Sequence, residues 1–159
     1  MHAVGVGAFF IAVVALYFGG EPGWTGWFDD ANLVFHEAGH PIYGIFGETL
    51  ALYGGVLGQL TIPLIVVISF GIRREAAGAA IGGIWFFQNF LNIARYMADA
   101  RIQELPLAGG GEHDFFNIFT RWDVLDADVV IADRVRLLGW CGMVGVAAWF
   151  GWRYWRKRR

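Results

Sequence analysis

The stretch from Leu50 to Gly71 contains no charged residue and is long enough to cross a bilayer, whose hydrocarbon needs roughly 20 helical residues. Pro63 interrupts it and Arg73-Arg74 closes it. Other apolar runs appear when the chain is cut at its punctuators. Ala3 to Phe18 ends at Gly19-Gly20, and "EPGWTGWFDD" reads as a turn-rich interfacial loop. Asp29 or Asp30 is placed to cap a second helix running to about Gly47. Ala76 to Ala98 and Val135 to Trp152 supply two more. The expected fold is an all-α, polytopic membrane helix bundle with four or five transmembrane helices, and residues 1–159 form a single integral-membrane domain.

Composition agrees, because only 16% of the residues are charged and 57% are hydrophobic, against roughly 25% charged in an average soluble domain. No Lys or Arg precedes Arg73, and the chain closes on "RYWRKRR". That asymmetry reads as membrane orientation, with Arg73-Arg74 and the C-terminus cytoplasmic, and not as a nucleic-acid surface. With the second to fifth helices all crossing, the two basic groups share a side and the start of the chain lies on the other. The lone Cys141 excludes an intrachain disulfide and reads as an apolar helix filler. Gly54 and Gly58, Gly78 and Gly82, and Gly139 and Gly142 recur at spacings that let helices approach closely.

Within the second helix lies "FHEAGHP", residues 35 to 41. His36 and His40 are one turn apart on one helical face, so both imidazoles can ligate one metal ion. Glu37 sits beside the first histidine, where its carboxylate can take a proton from a water in the metal's open position. This is the H-E-x-x-H pattern of zinc hydrolases. Ionisable groups are costly at bilayer depth, and three within five positions need a common partner, which a divalent cation supplies. Pro41 leaves the Glu37 carbonyl without its helical N–H and predicts a kink at the motif.

"FHEAGH" in a membrane helix, followed by the small-residue segment "GGVLGQLTIP", resembles the site-2 protease type of intramembrane zinc metalloprotease, particularly its small bacterial relatives. The likeness spans roughly residues 30 to 115, the expected metalloprotease core. It implies one Zn2+ per chain held by two histidines and a distant aspartate, a membrane-protein or peptide substrate cut in or near the bilayer, and a bacterial inner membrane. The family's later "LDG" segment, whose aspartate completes the zinc site, is absent.

The third ligand must then come from elsewhere. His113 is the first choice, from "GGGEHDFF", where a glycine run lets backbone fold into a cavity; Asp114 is next and Asp99 third. On the fourth helix Trp85, Asn89, Asn92, Tyr96 and Asp99 share one face. Asn89 and Asn92 are candidates to orient a substrate or an oxyanion, with Gln59 and Gln88 behind them. Two other readings are a metal-binding or transport protein without hydrolysis, and an inactive, protease-like adaptor. Four histidines are too few for a long metal pathway, and an intact Glu37 opposes the adaptor.

Overall fold

The computed structural model describes every residue except Met1, Pro22, residues 109–111 and Arg158, and only the backbone of His2 and Ala3. The glycine run expected to fold into a cavity therefore lies outside the described residues. Among the described residues the fold has six α-helices: α1 (His2–Gly19), α2 (Trp27–Gly44), α3 (Glu48–Ile72), α4 (Ala76–Ala98), α5 (Asp114–Arg121) and α6 (Asp128–Arg156). No strand occurs among the described residues. One described helix, α3, is both long and apolar enough to cross a membrane.

Helices α2 and α3 form a tight hairpin. Gly47 turns the chain at φ 116, a conformation only glycine adopts readily. Above the turn the two backbones touch. A methyl group on Gly54 would stand 2.7 Å from the Gly39 carbonyl oxygen, and one on Gly58 would stand 2.5 Å from the Phe35 carbonyl oxygen. The small-residue pair seen in the sequence thus has its partner in Gly39, inside the histidine motif. Helix α2 continues through Pro41 for a further turn.

Helices α3, α4 and α6 run alternately up and down. The Arg101 guanidinium meets Asp128 at 3.0 Å, tying the end of α4 to the start of α6. Hence Arg73-Arg74, between α3 and α4, and Arg153, Arg156 and Lys157, at the end of α6, lie at one end of the bundle. Helix α1 points the same way as α4: Tyr17 and Phe18 meet Trp140, and Glu21 pairs with Arg95. Val6 and Val13 pack into the core with Ala80, Ile84, Leu91, Met143 and Phe150.

The start of α2 departs from expectation. The cap position is Gly26, not Asp29 or Asp30. Asp29 lies within the first turn, and its carboxylate accepts the Thr25 N–H at 2.5 Å. Gln88 donates to Asp29 at 2.6 Å and to Thr25 Oγ1 at 2.8 Å, Asn32 donates to Gln88 at 2.9 Å, and Trp85 donates to Asn32 at 2.9 Å. Gln88 stands about 18 Å along α4 at ~1.5 Å per residue. So α2 begins near the middle of the bundle and does not run its length. The chain doubles back between α1 and α2, which puts the start of α1 at the Arg73-Arg74 end, not opposite it.

The polar segment after α4 is partly folded inward. Phe115, Ile118 and Phe119 of α5 bury against Ile93, Ala100, Leu52, Tyr53 and Val56. This docking carries the start of α5 toward α2. Helix α6 begins at Asp128, seven residues before the expected Val135.

Candidate metal centre

The hairpin sets His36 and His40 side by side, with ring centroids 5.1 Å apart. Each ring is held from behind. His40 Nδ1–H donates to the Ala51 carbonyl oxygen at 2.8 Å; a carbonyl only accepts, so the proton sits on Nδ1. His36 Nδ1 faces Gln59 Oε1 at 3.3 Å, and Gln59 Nε2 donates in turn to Asn92 Oδ1 at 2.7 Å. The amide therefore presents an acceptor to His36, which fixes the same tautomer. Both Nε2 lone pairs are left facing forward.

What they face is Asp114. Its Oδ2 lies 2.9 Å from His36 Nε2 and 3.3 Å from His40 Nε2. The three ligand atoms all lie within 4.8 Å of one another. Bonds of ~2.0–2.2 Å around a tetrahedral ion separate neighbouring ligand atoms by roughly 3.3–3.6 Å, close to this arrangement. Two imidazole lone pairs aimed at a carboxylate oxygen repel it unless a cation lies between them. Two histidines anchored from behind and a carboxylate could together hold a metal ion.

Asp114 is the first residue of α5, where the helix dipole favours its negative charge. Its N–H donates to the Tyr96 hydroxyl at 3.1 Å. His113, first choice for the third ligand, is not brought to the other two. It caps α5, its Nδ1 accepting from Phe116 N–H at 3.3 Å. Its Nε2 lies 3.3 Å from Asp99 Oδ2, without hydrogen-bond alignment. Burial pushes its pKa below the ordinary histidine value, with Asp99 pulling the other way. Asp99 is also no ligand. Its two oxygens accept the N–H groups of Glu104 and Leu105 at 2.9 and 3.1 Å, shaping the chain after α4.

A cavity of about 620 Å³ reaches the three ligands, and Glu37, Asn92, Tyr96 and Arg95 share its wall. Leu105, Pro106, Leu107 and Ala108 line its other side. Of the two asparagines, Asn92 is there and Asn89 is not. Asn89 is fully buried and donates to the Trp85 carbonyl one turn back at 3.0 Å. Gln88 belongs to the separate Asp29 network.

Two contributors escaped the sequence reading. Gly55 faces the His36 ring so closely that any side chain would strike it. The Ala51 carbonyl, a backbone group, carries no residue-type signal. Tyr96 was legible only as part of a stripe.

No protein-family model matches the chain, and no curated protein or solved structure matches it.

Proposed function

We propose that this chain is a membrane-embedded, zinc-dependent peptidase of site-2 protease type, hydrolysing a peptide bond in or near a bacterial inner membrane. The observation that carries the reading is the convergence of His36, His40 and Asp114 on one point, in a cavity that also holds Glu37.

His36, His40 and Asp114 would hold the zinc ion, which would supply Lewis acidity toward the scissile carbonyl and the attacking water. Glu37 takes the proton from the attacking water and delivers it to the departing amine. The Tyr96 oxygen is occupied by the Asp114 N–H, so its own hydrogen is available to a developing oxyanion. Asn92 gives its oxygen to Gln59 and keeps its NH2 for the substrate backbone. The neighbouring Asp29, Asn32 and Gln88 are bonded to one another and offer no second ligand set, which disfavours metal transport.

The bilayer setting is supported by an inverted distribution of polarity. Asp29, Asn32, His36, Gln59, Gln88 and Asn89 are buried, while Ile65, Ile68 and Ile72 of α3 and Leu137, Leu138 and Val144 of α6 are exposed. Such a surface suits hydrocarbon better than water. Exposed Trp149, Trp152 and Trp155 carry Arg153, Arg156 and Arg159 over their rings, as aromatic and basic residues do at a membrane interface. The substrate is a membrane polypeptide whose helix unwinds at the site.

Elemental analysis of the detergent-purified protein tests the reading. About one zinc per chain is expected, lost in His36→Ala, with processing of a membrane polypeptide lost in Glu37→Gln. A folded, metal-replete wild type without stoichiometric zinc would sink it.

A further inference from the structure

Three arginines elsewhere in the molecule meet carboxylates: Arg95 pairs with Glu21, Arg101 with Asp128 and Arg136 with Asp133. The close of α6 is built differently. No Asp or Glu follows Asp133 in the chain, and among the described residues no carboxylate side chain pairs with Arg153, Arg156, Lys157 or Arg159. Three of these cations lie instead over indole rings, each four residues after its tryptophan. Arg153 stands 6.0 Å from the Trp149 ring centre, Arg156 4.9 Å from that of Trp152 and Arg159 3.9 Å from that of Trp155. The rings are exposed, so they are not core packing. Arg73 repeats the device at the same end of the bundle, over Phe70 at 5.8 Å.

A ring face positions a guanidinium by charge and area and leaves its N–H edge without an oxygen acceptor. Arg153 shows this directly, since its Nε is buried and has no hydrogen-bond partner. Four positive side chains with no carboxylate among them suit an anion with several oxygens, which the guanidinium fork grips best. The neighbouring surface identifies that anion. Leu137, Leu138 and Val144, earlier on the same helix, are exposed and apolar, and the tryptophans follow within two turns. Apolar side chains, then indoles, then cations is the order of a helix passing from acyl chains into headgroups.

We infer that the close of α6, from Trp149 to Arg159, binds the headgroup phosphate of an anionic phospholipid. A zwitterionic headgroup carries its own cation beside the phosphate and suits this surface less well. The inference rests on the bilayer reading above, but not on zinc, on hydrolysis or on the leaflet to which the headgroup belongs.

Native mass spectrometry of the detergent-purified chain, titrated with phosphatidylglycerol or with phosphatidylcholine of the same acyl chains, counts the bound lipids. Wild type should retain phosphatidylglycerol in preference, and equal retention of the two would overturn the inference. Each cation near an anionic surface contributes about fivefold, so Arg156→Gln combined with Arg159→Gln should cut the preference by at least that factor. Trp152→Leu combined with Trp155→Leu keeps every charge but removes the rings that seat two guanidinium groups, and it should lower the preference as well. An unchanged preference in either variant would overturn the inference, as would its loss in Arg73→Gln combined with Arg74→Gln alone, which would move the site to the turn between α3 and α4. Inorganic phosphate should not displace the lipid; displacement would mark a site for the free anion. Carbonate extraction of the source membranes separates the two readings. A chain that stays with the membrane yet shows no headgroup preference overturns this inference alone, and a chain that is extracted overturns the bilayer reading with it.

Discussion

Gly55 of α3 stands against the His36 imidazole so closely that no side chain fits between them. The absence of a Cβ there lets the ring lie flat on α3 and reach both Gln59 behind and Asp114 in front. Gly55→Ala should push the imidazole off this line. Overpacking of this kind costs about 1–3 kcal/mol, and zinc titration should show weakened binding. Unchanged affinity would mean that the ring has another way to the ion.

Asp114 and His113 are neighbours with opposite assignments, and substitution separates them. Asp114→Ala should leave the purified protein without stoichiometric zinc. His113→Ala removes the cap of α5 and the partner of Asp99, so it should keep zinc with affinity reduced by about 10–100-fold, as for groups that orient ligands. Loss of zinc in His113→Ala with retention in Asp114→Ala would reverse the assignment.

Glu37→Gln preserves shape and removes the base. Zinc content should match wild type, while turnover of a membrane substrate falls by about 10²–10⁴-fold, the usual contribution of a positioned proton acceptor. Equal turnover in the variant would end the role given to Glu37.

Tyr96→Phe deletes the hydroxyl between Asp114 and the cavity. A donor to an oxyanion typically contributes about 10²–10³-fold to kcat, so a drop of that order with zinc retained is the expected result. A variant that instead loses its zinc would show the hydroxyl to serve Asp114 alone.

Gln59→Leu leaves His36 Nδ1–H without its acceptor and Asn92 without its donor. Zinc affinity should fall by about 10–100-fold, and a competition titration against a chelator measures it.

The hairpin and α4 were legible because punctuation is local: Gly47, Arg73-Arg74 and the end of the apolar run at Ala98 bound them in sequence as in space. The depth of α2 was not, since it is set by Thr25, Asp29 and Asn32 meeting Gln88, residues far apart in the chain. Helix α6 was read short because Asp128, Asp133 and Arg134 look like a polar connection; Asp133 in fact pairs with Arg136 one turn along its surface. His36, Glu37 and His40 follow from helical spacing alone. The choice between His113 and Asp114 does not, because adjacent side chains point apart and only the Phe116 N–H and Asp99 decide which one turns inward.

The ligands come from two pieces of the molecule with unequal freedom. His36 and His40 ride on a hairpin whose backbones touch at Gly39, Gly54 and Gly58, leaving it no slack. Asp114 arrives on an eight-residue helix at the end of the connection that also lines the cavity. An ion bound among them would work as a clasp, fastening that connection to the hairpin. Filling the site would then tie the start of α5, already packed through Phe115, Ile118 and Phe119, to the hairpin as well.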